Sequence, residues 1–277
     1  RYMSEIVINA QNLSKNFYNF DSRLPFIKRF LKRNQITIRA VQDISFTIKR
    51  GSIVGFIGSN GAGKSTTIKM LTGTLYPSSG KLEVNGEIPF KRSINFRKKI
   101  SIVVGNKLQL FQDVSAIDYF QLIGTLYEVE PAILQERIQE LSNLLNVKDQ
   151  LYQQVRTLSL GQKMKMEFIA ASLTSPEILF LDEPTIGLDI QSKKDIRTFL
   201  KKMNEECHTT IILTSHDMDD ISSVCDELIV IDKGKIILQE SMDVILSKFS
   251  DFKYLNKISV FKLNNNTIKY IYARILY

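Results

Sequence analysis

The chain has 277 residues, of which 44 % are hydrophobic, so it can bury the core of one large domain or two small ones. A net charge of +8 permits an acidic partner, such as nucleic acid or an anionic membrane face. No apolar run approaches the ~18 residues that a membrane-spanning helix needs. The two cysteines, Cys207 and Cys225, form no metal-binding cluster, which argues against structural zinc and fits a reducing cytosol.

The first part of the chain alternates strand-like and helix-like segments. We predict a strand and a turn over 5–17, a strand over 40–49 and a strand buried on both faces over 52–58. A helix is predicted over 64–74, and a further strand over 81–86. Glycines close the buried strand and lead directly into the helix.

The second part begins with a helical block at about 113–175, where apolar residues recur every three or four positions. A buried strand returns at 178–184, and helices and strands then alternate up to about 246. Strands that alternate with helices predict an α/β fold with a largely parallel sheet. The helical block is therefore an insertion between two strands of that sheet.

Residues 58–65, GSNGAGKS, fit the phosphate-loop pattern G-x-x-x-x-G-K-[ST] between a buried strand and a helix. Glycines let backbone N–H groups turn toward phosphate oxygens, and the helix N-terminus adds partial positive charge. A chance glycine-rich turn is the alternative, but it would not need these flanks. We predict that Lys64 reaches the β- and γ-phosphates and that the Ser65 hydroxyl ligates Mg²⁺. The predicted ATP-binding residues here are Ser59, Asn60, Gly61, Ala62, Gly63, Lys64, Ser65 and Thr66.

ILFLDEP, at 178–184, supplies the acids that a phosphate loop needs near its metal. Asp182 ends the strand and is predicted to hold Mg²⁺. Glu183 is predicted to act on the attacking water as a general base. Alone, Asp-Glu-Pro would also fit an ordinary helix N-cap. The phosphate loop upstream favours the metal site.

TLSLGQKMKMEFIAASL contains the motif that indicates a family, and Ser159 is predicted to cap a helix over about 160–174. LSLGQ ahead of LFLDEP resembles the LSGGQ signature of ATP-binding-cassette (ABC) ATPases, and the resemblance runs from about Ile6 to Leu246. Leu160 replaces a glycine, and since positive φ is costly for leucine we expect a helical or extended backbone there. LSLGQ, VVGNKLQLFQD and LTSHDMDDI resemble the ABC-2-type exporter ATPases, which include antibiotic-resistance exporters.

The resemblance implies further functional residues. Phe17 matches the aromatic side chain that stacks on adenine, and His216 matches the switch histidine that contacts the γ-phosphate. The segment IGLD at 186–189 matches the loop that couples two active sites. His208 has no such context and is expected to be an exposed loop residue.

The resemblance also implies the domain organisation. An α/β P-loop ABC ATPase domain is expected over 1–246, with a mostly parallel core sheet and an antiparallel β subdomain. The block at about 113–175 matches the inserted helical subdomain of the family. The tail at 247–277 stays unassigned.

In the family, each signature closes over the γ-phosphate held by the other subunit of a head-to-tail dimer. The resemblance therefore implies an ATP hydrolase with ATP and Mg²⁺ as cofactors and with Lys64, Glu183 and His216 as catalytic residues. It implies that the partner subunit contributes Ser159, Gly161 and Gln162. It also implies a separate membrane permease as partner and a cytoplasmic location, peripheral on the inner face of the cell membrane.

VVGNKLQLFQD, at 103–113, carries three carboxamides. The family's sensor glutamine, which touches Mg²⁺ or water, matches Asn106. Because its side chain is one methylene shorter, we expect a longer, water-bridged contact with the metal and the ATP site. The alternative is that Asn106 only caps the turn. Gln109 and Gln112 are expected to face the helical subdomain or the permease.

LPFIKRFLKR, at 24–33, predicts a short cationic amphipathic helix that could contact an anionic membrane; a solvated hairpin extension is the alternative. The preferred function is the ATP-hydrolysing subunit of an ABC exporter. The alternative is a soluble ABC ATPase that acts on nucleic acid or the ribosome. A single cassette without a heptad run disfavours that alternative, so no nucleic-acid partner is expected. The intact acids and Lys64 disfavour a non-catalytic, ATP-gated scaffold.

Overall fold

The structure is a computed structural model that describes residues 5–20, 35–215 and 217–250. The predictions for the basic segment 24–33, for His216 and for the tail beyond 250 lie outside these residues. Within the described residues, no helix has both the length and the apolar character needed to cross a membrane.

The described strands and helices follow the alternation that the sequence predicts. The strands are β1 (Ile6–Phe20), β2 (Gln35–Lys49), β3 (Ile53–Ile57), β4 (Ser79–Val84), β5 (Ile100–Val104), β6 (Ile178–Asp182), β7 (Thr210–Thr214), β8 (Glu227–Asp232) and β9 (Lys235–Ser241). The helices are α1 (Lys64–Leu71), α2 (Ile94–Lys99), α3 (Ala116–Leu126), α4 (Pro131–Leu144), α5 (Leu160–Ser172), α6 (Ile190–Cys207), α7 (Met218–Val224) and α8 (Met242–Ser250).

A six-stranded sheet in the order β5-β6-β7-β3-β8-β9 forms the centre of the fold. Its pairs are parallel except for β8 with β9, so the predicted, largely parallel sheet is confirmed. All five residues of β3 are buried, as expected of a strand covered on both faces. Because β6, β7 and β3 are neighbours, their carboxyl ends bring the phosphate loop, Asp182 and Thr214 to one edge of the sheet.

A second, antiparallel sheet has the order β2-β1-β4 and confirms the predicted antiparallel β part of the fold. The sequence predicts a strand and a turn over 5–17, whereas β1 continues through this region as one strand of 15 residues. Asn12 lies in the left-handed region, with φ 50, and the register with β2 shifts on both sides of Leu13. These bulges bend β1 without ending its pairing with β2. β2 is longer than predicted, because its residues 35–39 pair with the part of β1 beyond the bulges.

The helical block lies between β5 and β6, as predicted, and consists chiefly of α3, α4 and α5. Its apolar faces share one core with the central sheet, in which Phe120, Ile138 and Phe168 pack with Leu179 of β6. The block is therefore held to the sheet through α5, which also carries the signature at its first turn.

One helix end differs from the prediction, and one helix was not predicted. α1 ends at Leu71 rather than 74, because the hydroxyls of Thr72 and Thr74 donate to the Lys69 carbonyl, at 3.3 and 3.0 Å. α8 (Met242–Ser250) crosses the domain boundary predicted at 246, so the first residues assigned to the tail continue this helix. His208 ends α6 and is exposed, as expected.

Candidate active site

The phosphate loop joins β3 to α1, and two of its glycines meet different demands. Gly63 has φ 112, and a Cβ there would lie 2.6 Å from the Ala40 carbonyl oxygen, so no other residue fits. Gly61 has φ 82, and a Cβ there would meet no atom within 4 Å. The loop therefore leaves open space above Gly61, of the kind that a phosphate group needs next to backbone N–H groups.

Lys64 begins α1 and is only 5 % exposed. Its ammonium donates to the carbonyl oxygens of Gly58, at 2.7 Å, and Ser59, at 3.3 Å. Burial lowers the pKa of Lys64, while the nearby carboxylates of Glu183 and Asp182 oppose that shift. A buried cation with two acids beside it is suited to bind the oxygens of a nucleotide phosphate.

Asp182 accepts hydrogen bonds from three separate segments at this edge of the sheet. Its Oδ1 accepts from the Ser65 hydroxyl at 3.0 Å and from the Thr214 hydroxyl at 2.7 Å. Its backbone carbonyl accepts from the Gly105 N–H at 2.9 Å. A carboxylate with a hydroxyl beside it is an oxygen donor set of the type that Mg²⁺ prefers, so Ser65 and Asp182 fit a magnesium site.

The sequence did not identify Thr214 as a site residue. Thr214 pairs with Asp182 in the parallel register of β6 and β7, and its Oγ1 also accepts the Glu183 N–H at 3.0 Å. One hydroxyl therefore orients both acids of the Asp-Glu pair. Its position at the end of the buried strand TIILT was a usable signal, but the strand neighbour and the register had to be known.

Glu183 occupies a constrained backbone position, with φ 51. Its Oε1 lies 3.8 Å from the Lys64 Nζ. A Cβ on Gly105 would lie 1.9 Å from the Glu183 carbonyl oxygen, so Gly105 is the glycine that allows the two segments to pack this closely. The carboxylate is thus held beside the phosphate loop by main-chain contacts on both sides.

The side chains of Asn106 and Gln109 have different surroundings in the structure. Asn106 follows Gly105 and is exposed, and within the described residues no hydrogen bond joins its side chain to Ser65 or Asp182. The Gln109 carboxamide donates to the Ile102 carbonyl of β5 at 2.9 Å. Gln109 also lies beside α3 and α5, so it faces the helical block, as predicted.

Phe17 lies on β1, with its side chain partly exposed. The Lys15 ammonium lies 5.3 Å from the centre of the Phe17 ring, which adds a cation at this surface.

Ser215 and Asp217 flank His216, and the Asp217 N–H donates to the Ser215 hydroxyl at 3.0 Å.

The signature begins α5, and its backbone prediction is confirmed. Leu160 is the first helical residue and has no positive φ, as expected for leucine. Ser159 and Gln162 form a capping box, with hydrogen bonds of 3.2 and 2.9 Å in the two directions. A Cβ on Gly161 would lie 2.2 Å from the Ser192 hydroxyl, so Gly161 lets α5 pack closely against the start of α6.

The start of α6 is itself fixed by Asp189, whose carboxylate accepts from the Ser192 N–H at 2.8 Å and from its hydroxyl at 2.7 Å. These two bonds, of which the hydroxyl bond has the larger effect, lower the pKa of Asp189.

Within the described residues, no hydrogen bond or ion pair joins the signature at 158–162 to the phosphate loop at 58–65. The phosphate loop and the signature are therefore not bonded to each other within the described part of one chain.

A phosphate loop after a buried strand, with an Asp-Glu pair at the end of a neighbouring strand, defines a P-loop nucleotide-binding ATPase. The family model described as "ABC transporter" matches residues 41–186, more than half of the chain. The chain therefore belongs to the ABC transporter family: it is an ATP-binding, ATP-hydrolysing subunit.

Curated relatives agree with this assignment. The chain is 31 % identical to the ABC transporter ATP-binding protein NatA of Bacillus subtilis (strain 168), over 82 % of this chain and 93 % of NatA. It is 34 % identical to the linearmycin resistance ATP-binding protein LnrL of the same organism, over 71 % of this chain and 63 % of LnrL. The chain thus spans less than two thirds of LnrL and nearly all of NatA.

Solved structures share the fold. The protein cbiO1 from Clostridium perfringens, described as part of the ABC transporter complex cbiONQ, superposes with a TM-score of 0.74 at 25 % identity, over 92 % of this chain and 96 % of its own. A dimeric ATP-binding cassette bound to ADP and Pi superposes with a TM-score of 0.70 at 20 % identity, over 85 % of this chain and 98 % of its own. At 20 % identity the second likeness concerns the fold alone.

Proposed function

We propose that this chain drives export through a separate membrane permease, with two copies that close head to tail on Mg-ATP. The observation that carries the proposal is the contrast between a phosphate loop with its acids in place and a signature that the same chain leaves exposed. The resistance protein LnrL and the Leu160 variant of the signature favour export. The relatives reported above are described as transporter proteins, which favours transport over action on nucleic acid.

The residues of the phosphate-loop side have distinct proposed roles. Lys64 binds the β- and γ-phosphate oxygens, because its buried ammonium already lies inside the loop. Ser65 and Asp182 would hold Mg²⁺, which supplies charge neutralisation of the phosphate oxygens when it is bound. Glu183 polarises the attacking water and accepts its proton, since its carboxylate lies beside Lys64 at the same edge.

The remaining roles depend on position and resemblance. Phe17 stacks on adenine, and Asn106 contacts the metal site through a water molecule. His216 contacts the γ-phosphate, as the resemblance to the family implies. Ser159, Gly161 and Gln162 bind the γ-phosphate of the partner copy, because the exposed start of α5 presents backbone N–H groups and a positive dipole end.

A groove between the helical block and the central sheet is the proposed docking surface for a cytoplasmic segment of the permease. Its volume is about 380 Å³, and its lining includes Arg92, Arg97, Tyr119 and Gln109. Within the described residues neither arginine forms an ion pair, so an acidic segment would complement them. The groove reaches the loop after β5, which leads to Asn106 and the active site.

We place the chain in the cytoplasm, on the inner face of the membrane.

Mixed dimers test the head-to-tail arrangement. Lys64→Met disables the phosphate loop, and Leu160→Glu places an anion at the signature; each variant alone should lose about nine tenths or more of its ATPase activity. A mixed head-to-tail dimer restores one intact site, so equal mixing should recover about a quarter of the parent rate. If the mixture stays as inactive as its components while mixed dimers form, the two halves of the site act within one chain and the proposal fails.

Co-purification tests the transport role. The tagged chain, expressed in its own host, should retain a multi-span membrane protein after detergent extraction. Arg92→Ser/Arg97→Ser should reduce that retention, whereas Lys81→Ser, an exposed cation on β4, serves as a matched control. Recovery of ribosomal proteins instead of a membrane protein would support the nucleic-acid alternative.

The cationic segment at 24–33 is proposed to contact anionic lipid beside the permease. Vesicles that contain anionic phospholipid should retain the parent chain and lose a Lys28/Arg29/Lys32/Arg33→Ser variant, since each cation near such a surface contributes about 1 kcal/mol. Equal retention of both proteins would rule out this contact.

A further inference from the structure

Glu167 is a buried carboxylate that the mechanism above does not use. It lies in α5, five positions after Gln162, and is 5 % exposed. One of its oxygens, Oε1, accepts both the Gln109 N–H and the Leu110 N–H, the latter at 2.8 Å. Among the described residues no cation pairs with it, and burial raises the pKa of Glu167 against the opposing effect of these two bonds.

The two N–H groups belong to the segment 105–110, which we call the sensor loop. At its other end, the Gly105 N–H donates to the Asp182 carbonyl at 2.9 Å, and Gly105 packs against the Glu183 main chain. The sensor loop is therefore attached to the Asp-Glu pair at one end and to the signature helix at the other. Asn106 lies between the two attachments.

A carboxylate is well suited to this attachment. Two consecutive backbone N–H groups on one oxygen form a chelate, so the loop cannot rotate without breaking both bonds. A hydrocarbon side chain at 167 would leave both N–H groups without this acceptor. The charge carries a desolvation cost, which fits a position where a fixed loop matters more than stability alone.

We propose that Glu167 is a positioning residue that makes the sensor loop and the signature helix α5 move as one unit. When a partner copy displaces the signature, Glu167 transmits that displacement to Asn106 and the Asp182 end of β6. The same attachment connects the proposed permease groove, which Glu167 and Gln109 both line, to the active site. This inference rests on the proposed function and deepens it.

Two substitutions at Glu167 test the attachment. Glu167→Gln keeps one oxygen that can accept both N–H bonds and replaces the other oxygen with an NH2 group, whereas Glu167→Leu removes the acceptor. We expect Glu167→Leu to lower kcat about tenfold with ATP Kd unchanged within about twofold, and Glu167→Gln to keep most of the activity. Amide hydrogen exchange at Gln109 and Leu110 should rise in the Leu variant alone. Met166→Leu, a volume-conserving change at the adjacent buried residue, controls for repacking of α5.

A pair of loop variants keeps the test decisive if Glu167→Leu does not fold. Gln109→Pro removes one donor to Glu167 without touching α5, while Lys107→Ala, at an exposed position of the same loop, keeps both N–H donors. The proline variant should reproduce the loss of kcat, and the alanine variant should not. Parent kcat in both Glu167→Leu and Gln109→Pro would overturn the inference, as would an equal loss of ATP affinity and kcat. Failure of the head-to-tail proposal is distinguishable, because it would appear as missing recovery in mixed dimers.

Discussion

The phosphate-loop side and the signature side of this molecule differ in how their polar groups are satisfied. On the phosphate-loop side, bonds from separate segments converge, and Asp182 alone connects α1, β7 and the sensor loop. On the signature side, Ser159 and Gln162 bond to each other, and Leu160 is 46 % exposed. One half of the site is thus assembled by tertiary contacts, and the other is a locally capped helix end that faces outward.

This difference indicates which contacts hold the functional groups of each half in position. The phosphate-loop side depends on strand register and close glycine packing, so small substitutions there should affect chemistry within the chain. The signature side depends on helix capping and on the close packing of Gly161 against α6, while Ser159 and Leu160 stay exposed. Changes to its exposed residues should therefore spare folding and ATP binding and should act only when two copies meet.

The largest expected effect is that of Glu183→Gln. Loss of the general base should lower turnover about 10²–10⁴-fold while ATP binding persists. Because bound ATP is then hydrolysed very slowly, it should hold the two copies together as a stable dimer, visible as an earlier peak in size-exclusion chromatography. Glu205→Gln, at an exposed position of α6, is the control. Hydrolysis by Glu183→Gln at the parent rate would show that another group activates the water.

The signature side should respond to charge with the next largest effect. Leu160→Glu places a carboxylate where a partner's phosphate is expected, and repulsion should lower ATPase activity about tenfold. The exposed side chain should leave the free energy of unfolding and single-chain ATP affinity unchanged. Leu160→Gln has nearly the same shape without the charge and should keep most of the activity. An equal loss in both variants would point to the leucine side chain itself.

A smaller effect is expected at Thr214. Thr214→Val keeps the volume and removes the hydroxyl that bonds Asp182 and Glu183, which should cost about 1–2 kcal/mol of folding stability. It should also raise the Mg²⁺ concentration needed for half-maximal ATPase activity. Thr210→Val, on the same strand, removes a buried hydroxyl that accepts the Gly51 N–H at 2.9 Å. That control should lower stability without shifting the Mg²⁺ dependence.

Much of the fold could be predicted from the sequence because its patterns are local. The glycine loop, the buried strand before it and the N-cap at Ser159 each depend on a few neighbouring residues. The length of β1 could not be predicted, since the residues near Asn12 are typical of a turn and pairing with β2 and β4 carries the strand past them. The helix across 246 was missed because its residues were assigned to a tail with no recognisable motif.

The candidate site divides in the same way. Lys64, Asp182 and Glu183 follow from motifs, but the role of Thr214 depends on the register Asp182↔Thr214 between strands distant in sequence. Glu167 lies in a helix whose periodicity gives no sign that this acid bonds to a loop far earlier in the chain. Gln109 and Leu110 precede it by 58 and 57 positions. Long-range partners of buried polar groups are not encoded in local patterns, so they appear only in the structure.

The smallest expected effect concerns Asn106, which lies between the two halves compared above. A water-bridged contact contributes less than direct ligation, so Asn106→Ala should lower ATPase activity only about two- to fivefold. Asn106→Gln restores the reach of the longer carboxamide and should stay within about twofold of the parent. Gln112→Ala, a nearby carboxamide whose side chain bonds only the Leu110 carbonyl among the described residues, at 3.4 Å, is the control. If alanine and glutamine at 106 both leave ATPase activity and its coupling to transport unchanged, Asn106 merely ends the turn after β5, and the sensor loop acts through its backbone attachment to Glu167 alone.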